Sequence, residues 1–199
     1  MELEARLTEL LRTHPAERSV RLVGSRAESR ATELSDYDLL VETDEFERVR
    51  EDLPGLLEPL SPLAAQWDRL SKEASYYMLM LPGGLKVDLI FERPPEVEPP
   101  WEVRAETLEG IDRHFWDWIL WLGSKALRGE RELVDGHLGG LMFEHLLRPL
   151  GVAERPQTIV EAIAGYREAL ADRERDLGVD ISTSLGEAVL ARLRSAGIL

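Results

Sequence analysis

The chain contains no cysteine, which excludes disulfides, thiolate metal ligands and a cysteine nucleophile. No apolar run approaches the ~20 residues that cross a bilayer. The opening stretch, MELEARLTELLRTHP, reads as a charged amphipathic helix without the apolar core of a signal peptide. The expectation is a cytoplasmic protein with no membrane partner. Basic residues are scarce as well: 24 Lys and Arg stand against 38 Asp and Glu, a net charge of −14. Phosphate-backbone binding depends on Lys and Arg, so nucleic acid is disfavoured as a partner. Lysine is rarest, occurring only as Lys72, Lys86 and Lys125. What is present, 44% hydrophobic and 31% charged residues over 199 positions, is the composition of a globular chain. Its acidity suits cationic small molecules, or an anion site shielded from the bulk field.

Four prolines fall within residues 92–100, ERPPEVEPP, where they oppose both helix and sheet pairing and mark the best boundary. Before it, strand and helix patterns mix. Residues 2–13 have helical spacing, 19–23 and 38–41 are short strands, and a helix starts near residue 43. Residues 76–81 and 85–91 are apolar runs around Pro82-Gly83-Gly84, an antiparallel hairpin signal. After the boundary, residues 104–128, 131–148, 157–176 and 184–196 read as helices. The expected fold class is α+β, with a mixed sheet and helices in residues 1–95 and a helical bundle in 101–199.

The richest stretch runs from Val23 to Val41. A strand ends in Gly24-Ser25, ten residues follow, and Asp36-Tyr37-Asp38 enters a second strand. Gly24 allows close backbone approach to a ligand, and a helix starting near Ser25 would aim free N–H groups at a phosphate. The Ser25 hydroxyl adds a donor. Asp36 and Asp38, two apart at a strand edge, leave the same face. Aligned carboxylates repel unless a cation lies between them, and hard oxygen donors of this kind suit Mg²⁺. A third carboxylate, Asp88, sits in Lys86-Val-Asp-Leu-Ile-Phe91. Alternation puts Lys86, Asp88 and Ile90 on one face and Val87, Leu89 and Phe91 on the other. An ionised Asp in an apolar strand calls for a metal or a strong donor. Taken alone, Asp-x-Asp also fits a solvated turn.

Together these elements resemble the nucleotidyltransferase signature of the DNA polymerase β superfamily, in which Gly-Ser is followed after ten residues by Asp-x-Asp and by a later strand Asp. The matched positions are Gly24, Ser25, Asp36, Asp38 and Asp88. The hairpin from Tyr77 to Ile90 is similar to that of aminoglycoside 6-adenylyltransferases. The resemblance implies two Mg²⁺ ions at Asp36, Asp38 and Asp88, and transfer of a nucleoside monophosphate from ATP or another NTP to an acceptor hydroxyl. It assigns the β- and γ-phosphates to Gly24 and Ser25, with Arg26 nearby to balance their charge. Asp88 is one candidate to take the acceptor's proton; Glu92, which in regular strand geometry shares the face of Asp88 and Ile90, is another, and it also reads as a linker glutamate exposed to water. The expected acceptor is a small polar molecule such as an aminoglycoside. A protein adenylyltransferase of the antitoxin kind and a nucleotide-binding module without turnover are the alternatives.

In the second half, Phe115, Trp118, Ile119 and Leu122 have the spacing of a buried helix face. His114, Asp117, Trp121, Lys125 and Arg128 form a second stripe, which reads as a ligand-facing wall with Lys125 toward triphosphate or as an exposed flank of charge pairs. His137, Glu144 and His145 lack the spacing of a helical zinc site.

Overall fold

The structure is a computed structural model that describes residues 3–68, 74–93 and 101–199. The fold is α+β. Its chain divides into two compact units: one combines Met1–Ala31 with Ser35–Glu98, and the other combines Thr32–Leu34 with Pro99–Leu199. The proline-rich boundary lies mostly outside the described residues, which there include only Glu92 and Arg93.

The first unit holds helix α1 (Leu3–Arg12), strand β1 (Glu17–Val23), the single turn α2 (Gly24–Ala27), β2 (Tyr37–Thr43), α3 (Phe46–Leu57), β3 (Ala64–Trp67), β4 (Ser75–Leu81) and β5 (Leu85–Phe91). The strands form one sheet in the order β1-β2-β5-β4-β3. Only the β2–β5 pair is parallel among these four pairings. Alternation along β5 sends Val87, Leu89 and Phe91 into a core with Leu39 and Val41 of β2 and Leu7, Leu11, Val49, Leu53 and Leu57 of the helices. Burying each large aliphatic side chain there contributes about 1.5–3 kcal/mol. That core fixes the register. Because the side-chain period is two, it also commits Lys86 and Asp88 to the opposite face.

The second unit is built on the long helix α4 (Ala105–Leu127). It continues through α5 (Arg131–His137), a π-helical segment (Leu138–Leu147), the turn α6 (Arg148–Leu150), α7 (Ile159–Leu177) and α8 (Ser184–Ser195). Leu108, Ile111, Phe115, Ile119 and Leu122 of α4 are buried, and Tyr166 of α7 stacks on Phe115 at 3.6 Å between ring centroids. The caps of α7 follow from its sequence. Thr158 accepts the Glu161 N–H at 3.1 Å, and Gly178 takes the left-handed conformation that ends the helix. Residues 131–148, expected as one α-helix, instead change to π geometry from Leu138 onward. Gly139 and Gly140 open that segment, where the missing side chains lower the cost of the wider turn. Among the described residues, no helix is long and apolar enough to cross a membrane.

Candidate active site

One row across the sheet brings the acidic residues together. Asp38 of β2 is the direct partner of Val23 on one side and of Asp88 on the other. Parallel register at the β2–β5 pair therefore brings two carboxylates from distant parts of the sequence side by side. Asp36, one residue ahead of β2, completes the set. One carboxylate oxygen each from Asp36, Asp38 and Asp88 lie within 4.8 Å of one another. Asp88 is buried, and the other two are partly exposed. Three hard anionic oxygens at that spacing, partly open on one side, are a donor set that fits a divalent cation bound together with a phosphate.

Lys86 lies in the same cluster. Its ammonium is 3.0 Å from Asp88 Oδ2 and 4.0 Å from Asp36 Oδ2, with only 7% of its side chain exposed. The strong donor that alternation asks for beside Asp88 is thus its own neighbour two residues back.

Gly24 borders the cluster at φ +68°, and a Cβ added there would stand 2.2 Å from Asp38 Oδ2. Glycine is required here twice over, for the left-handed backbone and for the carboxylate packed against its Cα. Ser25 is buried in the turn that follows. The helix expected at Ser25 is that single turn, too short to carry a long helix dipole.

Arg26 is engaged locally. Its Nε donates to the Asp36 carbonyl at 2.9 Å and its Nη2 to the Ser35 carbonyl at 2.6 Å, while the guanidinium lies 3.9 Å from the Tyr37 ring centroid. Three successive residues on the approach to Asp38 are held by one side chain. Arg30 is exposed and paired with Glu28. Strand β5 ends at Phe91, so the alternation that would bring Glu92 onto the Asp88 face stops one residue short, and Glu92 is exposed.

In the second unit the α4 stripe divides. His114 and Asp117 are buried, at 0% and 5% exposure, which corrects the reading of them as an open wall or flank. The helix is covered over more of its circumference than an amphipathic pattern implies. Trp118, expected in the core, is partly exposed and meets His114 and His137 edge-on at 4.7 and 4.5 Å. Lys125 keeps a partly exposed position 3.8 Å from Glu130 Oε2, with its ammonium 5.1 Å from the Trp121 ring centroid. Glu130 also takes Arg128 at 3.1 Å. Burial, with a smaller push from His114, lowers the His137 pKa to about 4.

One buried group of this unit has no counterpart in the sequence reading. Asp112 accepts hydrogen bonds from Trp116 Nε1 at 2.9 Å and Tyr166 Oη at 2.5 Å. Burial raises its pKa to about 6, against the lowering effect of those two donors. The i, i+4 pairing of Asp112 with Trp116 is a visible signal, whereas Tyr166 lies 54 positions away.

A family model described as a nucleotidyltransferase domain matches residues 3–110. No curated protein matches the chain. Among solved structures, the chain is similar to the polymerase core of TRAMP, an RNA surveillance complex, at 16% identity and a TM-score of 0.41, covering 86% of this chain and 55% of that one. It is also similar to an aminoglycoside 6-adenyltransferase from Bacillus subtilis, at 13% identity and a TM-score of 0.35, covering 98% of this chain and 96% of that one. At such scores neither likeness bears on the acceptor.

Proposed function

Since the chain belongs to the nucleotidyltransferase domain family, we propose that it transfers a nucleoside monophosphate, AMP in the first instance, from an NTP to a hydroxyl of a small polar acceptor. The observation that carries this reading is the convergence of Asp36, Asp38 and Asp88 beside Gly24 and Ser25. The acceptor oxygen forms a bond to the α-phosphorus, the bond from that phosphorus to the bridging oxygen breaks, and pyrophosphate leaves with its electron pair. Asp36, Asp38 and Asp88 would hold Mg²⁺, which when bound supplies charge neutralisation at the triphosphate and at the attacking and leaving oxygens. Gly24 and Ser25 receive the β- and γ-phosphates through backbone N–H groups and the serine hydroxyl. Arg26 fixes the Asp36–Asp38 segment and leaves its positive charge one residue from Ser25. Asp88 is the first candidate to take the acceptor's proton, with Glu92 the second. The net charge of −14 favours a cationic acceptor of the aminoglycoside kind, because the protein's field draws such molecules in.

Incubation with isotope-labelled ATP, Mg²⁺ and a panel of aminoglycosides, lincosamides and nucleosides, read by mass spectrometry, tests the reading. The expected product is one acceptor heavier by a single AMP. Asp36→Ala and Asp38→Ala should each abolish that product while leaving the circular dichroism spectrum unchanged. A panel with no adduct, together with labelling of a co-purifying protein, would move the acceptor from small molecule to protein.

A further inference from the structure

Lysine is rare in this chain, yet one of its three copies lies inside the acidic cluster. Lys86 and Asp88 are two apart on β5, so both leave the sheet on the same face, about 7 Å apart along the strand. A four-carbon stem folded along the strand covers that span. It ends with the ammonium 3.0 Å from Asp88 Oδ2 and 4.0 Å from Asp36 Oδ2. The stem and its charge are both withdrawn from water, with 7% of the side chain exposed. The two carboxylates come from different elements, Asp36 from the approach to β2 and Asp88 from the middle of β5. A single cation therefore joins the two strands that also pair in parallel beneath it.

Asp88 Oδ2 belongs to a carboxylate that the metal-centre reading assigns to a divalent ion, and the ammonium already occupies its hydrogen-bonding distance. Two cations compete for the same electron pairs. We propose that Lys86 is a built-in counter-ion of the triad: it holds Asp36 and Asp88 together in the metal-free protein, and a divalent ion binds by taking over its contact with Asp88. Lys86 is thus a positioning residue with two opposed effects. It favours the folded arrangement of the empty cluster and opposes occupancy of that cluster by metal. The inference rests on the metal-centre reading above and concerns binding, so its test does not depend on turnover.

Lys86→Met removes the charge and keeps an unbranched stem. In isothermal titration with Mn²⁺ the variant should bind on the order of tenfold more tightly than the wild-type chain, because the divalent ion no longer displaces or faces a like charge a few ångströms away. Its melting temperature in EDTA should be several degrees lower, and saturating Mn²⁺ should remove that deficit. Equal or weaker Mn²⁺ binding by the folded variant would overturn the proposal. Absence of Mn²⁺ binding by both proteins would instead overturn the metal-centre reading, which separates the two failures. A measurement on the wild-type chain avoids any folding defect of the variant. Acylation of Lys86 by an N-hydroxysuccinimide ester, followed by mass spectrometry with Lys125 as the internal reference, should speed up several-fold when Mn²⁺ is added. An unchanged or slower rate would show that the ammonium stays on Asp88, and the proposal would fall.

Discussion

Each unit of this protein buries carboxylate, and the two handle it in opposite ways. In the sheet unit, Asp36, Asp38 and Asp88 face one another and are answered by the full charge of Lys86. In the helical unit, the buried Asp112 is answered by two neutral donors, the Trp116 indole and the Tyr166 hydroxyl. Neutral donors compensate burial only in part, and the Asp112 pKa rises to about 6. Each arrangement also relies on a glycine. A Cβ on Gly24 would meet Asp38 Oδ2 at 2.2 Å, and one on Gly186 would meet the Trp116 ring at 2.6 Å. The lesson is that burial of an acid does not by itself identify a site. What distinguishes the first cluster is the convergence of three carboxylates from separate parts of the chain, a donor set of the kind a divalent cation takes. The second is closed: its acid has its donors, and nothing in its charge calls for a partner.

That contrast is most exposed at Gly24. Gly24→Ala places a methyl group inside contact distance of Asp38 and forces a left-handed residue to carry a Cβ, a backbone cost of about 1–2 kcal/mol. Since β1 and β2 are anchored by core residues on the far face, Asp38 yields rather than the sheet. Nucleotidyl transfer should fall by about a hundredfold or more, as expected when reacting groups are displaced by about an ångström. Mn²⁺ affinity should fall with it, and the melting temperature should move by only a few degrees. Wild-type Mn²⁺ affinity in this variant would break the link between the glycine and the triad.

Gly186→Ala tests the other side of the comparison. The added methyl drives into the Trp116 indole, whose Nε1 donates to Asp112. Overpacking of this kind costs about 1–3 kcal/mol. Stability in urea should drop by that amount while Mn²⁺ affinity stays at the wild-type value. A change in Mn²⁺ affinity would mean that the two buried-acid clusters are not independent.

How much of this was legible in the sequence depends on how far apart the interacting residues lie. The triad members were visible because each sits in a local pattern: Gly24-Ser25 and Asp36-x-Asp38 at a fixed spacing, Asp88 in a strand whose alternation is unbroken. The same alternation places Lys86 on the Asp88 face but not its ammonium on two carboxylates at once, since the second, Asp36, lies on the approach to another strand. Parallel pairing of β2 with β5 is a long-range choice that no local pattern encodes. Ala64–Trp67 is too short and too polar at Gln66 to stand out as a strand, and only its pairing with β4 makes it one. The π-helical segment differs from an α-helix by less than one residue per turn, a difference that apolar periodicity over ten residues does not resolve. The burial of His114 and Asp117 is hidden for a related reason. Polar residues at helical spacing suggest an outer face, yet α4 is covered on most sides, and His114 and Asp117 fall on a covered one.

The smallest expected effect is in the pH dependence of stability, where two groups of the helical unit oppose each other. Asp112 has its pKa raised from 3.8 to about 6, so between those values the folded chain holds a proton that the unfolded chain releases. Its contribution to stability is therefore complete below about pH 4 and is lost as pH rises through 6. His137 is lowered from 6.5 to about 4, so over nearly the same window the unfolded chain holds the extra proton. Its contribution is complete above pH 6.5 and is lost as pH falls through 4. The two slopes largely cancel in the wild-type chain. Removing either one uncovers the other: relative to wild type, His137→Gln should lose about 1–2 kcal/mol of stability between pH 4.5 and 7, and Asp112→Asn should gain a similar amount. Urea midpoints at those two pH values measure both. An Asp112→Asn variant whose pH dependence matches that of the wild type would mean that Asp112 keeps its proton count unchanged on folding. Folding would then leave the charge of the helical acid unchanged, and the two clusters would differ only in the number of their carboxylates.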